Sequence, residues 1–258
     1  MFLSRLPTFI RLPVYLRTVL GVERIIGRKI MVLDEVSSTN DYAKSIADEV
    51  PEGTVVVAKR QSAGKGRKGR KWVSPEGGLW MSVILKPGFL DPRIVFIGAL
   101  SVVDTLADFG IPSGIKWPND VWVRERKIAG ILVESKGEEH VVVGIGMNVN
   151  NPIPEELRGT AVSMFELTGE RIPLESVLKS LTFHLDAWYR IFKEDPFLLM
   201  AKVRERTFIL GRFVEVVSDD GKIAGRAVDV LDDGSLLLDV GGSLKKVLYG
   251  DVSLRPLW

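Results

Sequence analysis

Five short runs of apolar and β-branched residues constrain the fold of this chain more than any other feature. They comprise residues 29–34, 54–59, 79–86, 127–134 and 140–149. Runs of this length and composition, bounded by turn residues, are typical of β-strands. Three further segments have helical features: a helix that begins near residues 38–41, where serine and aspartate have the spacing of a capping box, and the periodic stretches 93–109 and 174–192. The pattern predicts a chain that combines strands and helices.

The pattern changes near Gly211. From there to the C-terminus, short alternating strands are separated by turns at Asp220-Gly221, Asp233-Gly234 and Gly241-Gly242. A stretch of this size suits a small β-barrel or SH3-like module. We therefore predict three regions: an N-terminal basic extension at 1–28, a large domain at 29–208 and a small β domain at 209–258.

The residue types that are missing restrict the chemistry. The 258-residue chain has no cysteine and two histidines, His140 and His184, which lie far apart in sequence. A disulfide framework, a thiolate nucleophile and a cysteine metal site are excluded, and a Ser-His-Asp triad or a histidine-rich zinc site is disfavoured. Chemistry must therefore use lysine, arginine, aspartate, backbone groups or a bound metal.

Charge and hydropathy limit the partners. The net charge of +2 is too balanced for a protein that coats nucleic acid. Arginines at 5, 11 and 17 interrupt the apolar N-terminus, and no apolar run elsewhere reaches the length of about 18 residues that a membrane span needs. We expect a cytoplasmic protein without a membrane contact.

A basic loop follows the second strand. Residues 64–71 alternate three glycines with five lysines and arginines. Glycine lets the backbone approach a ligand closely, and the cations suit phosphate or carboxylate. The spacing differs from that of a Walker A loop. The loop alone is compatible with an anion-binding flap, a solvated turn or a nucleic-acid patch.

Two further motifs are ambiguous by themselves. Asp120 ends the turn at 116–120 and is either a turn former or a magnesium ligand. Lys127 begins an apolar strand, where burial of its ammonium is costly unless an anion pairs with it. A lysine that extends to solvent at a sheet edge is the alternative. Gly144 and Gly146 leave room for a ligand or form a β-bulge, and Asn148 offers a donor and an acceptor at the strand end.

Taken together and in order, these motifs resemble those of the biotin–protein ligases, also called biotin–[acetyl-CoA-carboxylase] ligases. The resemblance runs from about Lys29 to the C-terminus and is greatest for short archaeal-type members without a DNA-binding domain. It rests on Ser38-Thr39-Asn40, the segment from Gln61 to Arg67, Lys116-Trp117-Pro118-Asn119-Asp120, the segment from Lys127 to Glu134, Gly144-Ile145-Gly146-Met147-Asn148 and Tyr249-Gly250-Asp251-Val252-Ser253.

The resemblance implies an α+β fold, with a central mixed β-sheet and flanking helices of the class II synthetase type and a small C-terminal SH3-like barrel. It also implies a two-step reaction. Biotin and ATP would form biotinyl-5′-AMP and pyrophosphate, and the biotinyl group would then pass to a lysine of a biotin carboxyl carrier protein. Mg²⁺ as a cofactor, a homodimer and no DNA binding are the further expectations.

The resemblance assigns residues to this chemistry. Lys127, Arg67 and Asp120 would be catalytic, with Asp120 also near a metal ion. The residues implied at biotin are Ser38, Thr39, Asn40, Gln61, Lys65, Gly66, Arg67, Lys127, Gly130, Leu132, Gly144 and Gly146. Those implied at ATP are Arg67, Trp72, Asn119, Lys127 and Asn148, with Trp72 covering the ligand. Lys65 stands where many members have arginine, so it keeps the charge without the bidentate fork.

Two classes of alternative remain open on the sequence. One is related acyl transfer by a lipoate–protein ligase or an octanoyltransferase, although the residues of the motifs that begin at Lys127 and Gly144 favour biotin. The other is a non-enzymatic protein that binds biotin or nucleic acid through the basic loop.

Overall fold

The computed structural model describes residues 23–218, 221–248 and 250–254, so most of the predicted N-terminal extension lies outside it. The larger sheet has the strand order β1-β2-β3-β7-β6-β5-β4. β1 and β2 are parallel and the other neighbours are antiparallel, which confirms the mixed sheet. Its strands are β1 (Ile30–Val36), β2 (Val55–Gln61), β3 (Leu79–Leu85), β4 (Gly114–Lys116), β5 (Asp120–Val123), β6 (Arg126–Lys136) and β7 (His140–Met147).

The described helices are α1 (Thr39–Ile46), α2 (Ile94–Asp108), α3 (Met164–Thr168), α4 (Leu174–Glu194) and α5 (Pro196–Arg206), with 3₁₀ turns at Arg67–Gly69 and Glu155–Leu157. The Ser38 hydroxyl caps α1 by accepting from the Asp41 backbone N–H at 3.5 Å. The sequence analysis did not predict α3 and α5. α3 has only five residues, and α5 begins directly after the one-residue break at Asp195, which caps it through Leu198 N–H.

Successive side chains of each strand of the large sheet point to opposite faces, and helices cover part of both faces. Val55, Val57 and Val83 lie in the main core, which includes side chains of α2, α4 and α5. Val56 and Ile84 lie in a smaller core against α1. The open area beside α1 on this second face is where the sheet is available to a ligand.

The smaller sheet is antiparallel, with the order β11-β10-β9-β8-β12. Its strands are β8 (Phe213–Ser218), β9 (Gly221–Val230), β10 (Leu236–Val240), β11 (Ser243–Val247) and β12 (Asp251–Leu254). The predicted turns at 233–234 and 241–242 connect β9 to β10 and β10 to β11, while Asp220 is outside the described residues. Within the described part of the chain, no helix has both the length and the apolarity to cross a membrane.

Candidate active site

The floor of the site is made by glycines on adjacent strands. Gly130 of β6 is paired with Gly146 of β7, and Leu132 is paired with Gly144. The alternate residues Ile131 and Ile145 point into the main core. Because Gly130, Gly144 and Gly146 carry no side chain on the α1 face, other groups can lie directly against this part of the sheet.

A cavity of about 420 Å³ lies on this floor. Its walls are the start of α1, the basic loop, the turn before β5, the segment 151–161 and the start of β12. Every residue that the sequence analysis assigned to the site lines this cavity: Ser38, Thr39, Asn40, Gln61, Lys65, Gly66, Arg67, Trp72, Asn119, Asp120, Lys127, Gly130, Leu132, Gly144, Gly146 and Asn148. Their chemical roles stay predictions.

The start of α1 is held by Gln61 at the end of β2. Gln61 Oε1 accepts from the Thr39 backbone N–H at 2.8 Å and from Thr39 Oγ1 at 3.1 Å, and Gln61 Nε2 donates to Ser74 Oγ at 2.8 Å. Gln61 thus fixes the helix N-terminus to the segment that follows the basic loop.

Asn40 is tied to the sheet rather than directed into the open cavity. Its Nδ2 donates to Leu132 O at 3.2 Å and to Glu134 Oε2 at 2.7 Å, while its Oδ1 accepts from Ser82 Oγ at 2.6 Å. A Cβ atom on Gly144 would stand 2.1 Å from Asn40 Oδ1. In this structure, therefore, Gly144 makes room for Asn40, and Asn40 positions α1 over the floor.

The ammonium of Lys127 is the central charge of the site. Its Nζ lies 2.6 Å from Asp120 Oδ1, and it stands 4.9 Å from the centroid of the Trp72 ring. The Lys127 side chain is 27% exposed and that of Asp120 is 21% exposed, so the pair is partly screened from water yet reachable by a ligand. An anion that enters the cavity meets a cation already held in place.

Trp72 contributes to the floor. A Cβ atom on Gly146 would stand 2.4 Å from Trp72 Nε1, and one on Gly130 would stand 3.2 Å from Trp72 Cζ3. The buried Nε1–H has no hydrogen-bond partner among the residues that the structure describes. The sequence analysis expected Trp72 to cover the ligand from the loop, whereas the structure seats the indole against the glycines of β6 and β7.

The basic loop is joined to both sides of the cavity. Arg67 Nη1 donates to Asn119 Oδ1 at 3.0 Å, and Asn119 Nδ2 donates to Ile131 O at 2.9 Å. At the other side, Lys65 Nζ lies 2.5 Å from Asp41 Oδ2. The hydrogen bond from Lys65 lowers the pKa of the Asp41 carboxyl below its ordinary value. The two cations of the loop that were predicted for ligand binding, Lys65 and Arg67, are thereby held at the rim.

Asn148 lies at the far end of the floor, where β7 ends. It is 5% exposed, and its Oδ1 accepts from Asn151 Nδ2 at 3.1 Å. Asn151 Oδ1 in turn accepts from the Val149 backbone N–H at 3.1 Å. Asn148 is therefore a fixed polar group at the wall formed by the segment 151–161.

Sequence reasoning missed several lining residues. Lys116 Nζ lies 4.0 Å from the centroid of Trp122, and both side chains line the cavity. Burial lowers the pKa of the Lys116 ammonium, and the nearby charge of Asp120 opposes that shift. The segment 151–161 and residues 251–253 also contribute. Lys116 and residues 251–253 stood inside recognised motifs but were not assigned to the site, and no local pattern marked the segment 151–161.

The carboxylates of the described residues do not make a metal site by themselves. No group of three or more histidine, cysteine, aspartate or glutamate side chains comes close enough to hold an ion. Among the described residues that line the cavity, Asp120 and Asp251 carry carboxylates, and Asp120 is the one beside Lys127. Magnesium is commonly held by one or two carboxylates together with substrate phosphates, so these residues fit an ion that arrives with a nucleotide.

Comparison with protein families gives two matches along the chain. Residues 32–148 match the biotin/lipoate A/B protein ligase family. Residues 209–255 match the biotin protein ligase C terminal domain. The two matches contain the large sheet of the site and the smaller sheet, respectively.

Individual relatives extend this similarity to nearly the whole chain. The chain is 34% identical to the bifunctional ligase/repressor BirA of Bacillus subtilis, over 89% of this chain and 75% of that protein. It is 32% identical to the biotin–[acetyl-CoA-carboxylase] ligase of Mycobacterium tuberculosis, over 87% of this chain and 88% of that protein.

One solved structure is similar to this chain in both fold and sequence. It is the biotin protein ligase of Aquifex aeolicus in complex with biotin and ATP, with a TM-score of 0.82, 36% identity and coverage of 88% of this chain and 99% of that one. The fold, the two family matches and the cavity lined by every predicted residue agree: the chain belongs to the biotin protein ligase family.

Proposed function

We propose that this protein activates biotin with ATP to biotinyl-5′-AMP and transfers the biotinyl group to a lysine of a biotin carboxyl carrier protein. The observation that carries this function is the glycine-floored cavity in which the Lys127 ammonium lies beside the Asp120 carboxylate, with Arg67 at the rim. The similarity to a ligase with biotin and ATP bound supports the same substrates.

The first step is an electrostatic problem. A biotin carboxylate oxygen attacks the α-phosphorus of ATP, a new P–O bond forms, and the bond to the β-phosphate breaks to release pyrophosphate. The carboxylate is already ionised at neutral pH, so this step needs no general base. We assign to Lys127 and Arg67 the stabilisation of the negative charge that develops as the anion approaches the polyanion.

We propose that Mg²⁺ enters with ATP and meets Asp120. When bound, the ion would neutralise phosphate charge. Asp120 also keeps Lys127 oriented through the 2.6 Å ion pair, which limits the side-chain freedom of the ammonium before the substrates arrive.

In the second step, the carrier protein reacts at the same site. The uncharged amine of the acceptor lysine attacks the carbonyl carbon of biotinyl-5′-AMP, an amide forms, and AMP leaves as the proton is lost from nitrogen. We propose that Asp120 orients this amine. The basic loop would exclude water, which protects the mixed anhydride from hydrolysis before transfer.

The contacts with the biotin head are a separate proposal. The hydroxyls of Ser38 and Thr39 and the amide of Gln61 line the cavity, and Gly144 and Gly146 make room for Asn40 and Trp72 on the floor beside them. Asn40 supports them indirectly, because its amide groups already bind Leu132, Glu134 and Ser82. We propose Asn148 and Trp72 for the nucleotide end.

Two measurements test the proposed function against its rivals. Pyrophosphate release should require both biotin and ATP, whereas a non-enzymatic binding module would release none. Calorimetric titration should show binding of biotin and no comparable binding of lipoate. Equal affinity for the two acids would support the lipoate ligase alternative.

Replacing Arg67 by glycine should make the protein lose biotinyl-5′-AMP faster. The variant removes the hydrogen bond to Asn119 and a cation at the rim, and charge-assisted bonds of this kind justify an expected increase of about tenfold in the release rate. Filter binding with labelled intermediate measures this rate. The surface variant Arg60→Gln is the control, and unchanged retention in Arg67→Gly would show that the loop does not hold the intermediate.

We propose that the protein is a homodimer assembled through a sheet edge. β1 is an edge strand of the large sheet, and its Ile30 and Val32 side chains are 42% and 64% exposed. Open apolar edges favour pairing with another chain. Sedimentation should give twice the chain mass, and Val32→Lys should shift the equilibrium to monomer. A wild-type monomer at micromolar concentration would contradict this arrangement.

A further inference from the structure

The basic loop is tied to the smaller sheet by a carboxylate that no motif assigned to the site. Arg70 Nη2 donates to both oxygens of Asp251, at 2.8 Å and 2.7 Å, across 181 positions in the sequence. Arg67 Nη1 also donates to Gly250 O at 3.2 Å, and it lies 3.6 Å from Asp251 Oδ1. The start of β12 therefore contacts two cations of the loop.

Hydrogen bonds within the loop link Arg70 to Gly66 and Arg67. The Gly66 N–H donates to Arg70 O at 2.7 Å, and Arg70 Nε donates to Arg67 O at 3.2 Å. Because residues 66–70 form one hydrogen-bonded turn, holding Arg70 also holds Arg67. Arg67 is the residue that reaches Asn119 at the centre of the site.

We propose that Asp251 is a positioning residue that holds the basic loop over the cavity and so sets how long biotinyl-5′-AMP stays bound. This inference rests on the proposed function. Asp251 acts through Arg67 and Arg70 and does not touch the reacting atoms. The smaller sheet thereby takes part in catalysis through one carboxylate, in addition to its contacts with α5 and with the turn before β5.

The burial and geometry of the contact support a functional role. The Asp251 side chain is 33% exposed; of its two partners, Arg67 is 20% exposed and Arg70 is 59% exposed, so the carboxylate and Arg67 are partly screened from water while Arg70 reaches them from the surface. Charge-assisted hydrogen bonds of guanidinium to carboxylate are stronger than neutral ones. Residues 251–253 also line the cavity itself, so the loop is held at the site and not at a remote surface.

Other contacts hold the smaller sheet against α5 and against the turn before β5. Arg204 Nε lies 3.2 Å from Asp229 Oδ1, and Arg204 Nη2 lies 2.5 Å from Asp232 Oδ1. The Trp117 indole donates to Gly234 O at 2.9 Å. Removing the Asp251 carboxylate should therefore release the loop and leave the smaller sheet in place. Asp232→Asn is a matched control. Asp232 lies in the turn between β9 and β10 and pairs with Arg204 of α5, so its removal does not touch the basic loop.

A charge-swap experiment tests the proposal. Arg70→Asp and Asp251→Arg should each accelerate the release of preformed biotinyl-5′-AMP about fivefold, the effect of losing a partly exposed ion pair. The double variant restores an opposite-charge pair between positions 70 and 251 but not the contact with Arg67, so it should release the intermediate more slowly than either single variant. Asp232→Asn should release the intermediate at the wild-type rate.

Limited trypsin digestion gives a second readout that needs no turnover. Residues 65–71 contain five lysine and arginine sites, so an open loop is cut quickly. Asp251→Asn should be cut there faster than wild type or Asp232→Asn, with the melting temperature unchanged. Equal cutting rates, or a double variant that releases the intermediate as fast as the singles, would overturn the proposal. A wild-type protein that makes no adenylate would instead contradict the proposed function, while the digestion still tests the contact.

Discussion

Replacing Lys127 by alanine should lower the rate of biotin- and ATP-dependent pyrophosphate release about 100- to 1,000-fold, the usual cost of removing one preorganised charge from a transition state. The ammonium lies 2.6 Å from Asp120 and 4.9 Å from the Trp72 ring centre, so it is held before any substrate binds. Alanine removes the charge and also leaves the Asp120 carboxylate facing the incoming anions. Single-turnover formation of biotinyl-5′-AMP is the direct measurement.

Lys136→Ala is the matched control for this variant. Lys136 lies on the same strand, and its ammonium pairs with the exposed Asp48 away from the cavity. It should keep near-wild-type activity, and the melting temperatures of both variants should show that they are folded. Lys127→Ala with near-normal pyrophosphate release would remove Lys127 from the chemistry.

Replacing Gly144 by alanine should weaken biotin binding by about tenfold or more, since small displacements of positioning groups are costly at a reacting centre. The added Cβ would stand 2.1 Å from Asn40 Oδ1 and 2.8 Å from Asn40 Cγ, so the side chain must move. Its bonds to Ser82, Leu132 and Glu134 would then break. We also expect a loss of about 1–3 kcal/mol in the free energy of unfolding, as for other overpacked sites.

Gly159→Ala provides the comparison, because a Cβ at that position meets no atom of the described part of the chain within 4 Å. It should leave both the biotin affinity and the melting temperature unchanged. Calorimetric titration and thermal unfolding measure the two effects of Gly144→Ala separately. Wild-type biotin affinity in Gly144→Ala would mean that the Asn40 network does not shape the biotin site.

Local patterns predicted the elements that carry most of the site. β-branched runs located the long strands of the large sheet, and the change near Gly211 located the smaller sheet. The glycines at 130, 144 and 146 were predicted to line the site, and they do form the floor, with the side chains of Asn40 and Trp72 in the space beside them. These predictions succeed because strand alternation and the absence of a side chain are properties of the local sequence.

Contacts between segments that lie far apart in the sequence could not be predicted from the sequence. Nothing near Asp251 indicates that it meets Arg70, and nothing near Asn40 indicates that its amide is used by Ser82 and the sheet. Trp72 was placed over the ligand by resemblance, yet its indole fits the space left by Gly130 and Gly146. Such pairings depend on the packing of the whole domain.

Transfer of labelled biotin to a recombinant carrier domain tests the central claim most directly. With ATP present, the wild-type protein should attach one biotinyl group to the acceptor lysine, and Lys127→Ala should attach almost none in the same time. A carrier that remains unlabelled by wild-type protein, while biotin and ATP both bind, would contradict the account.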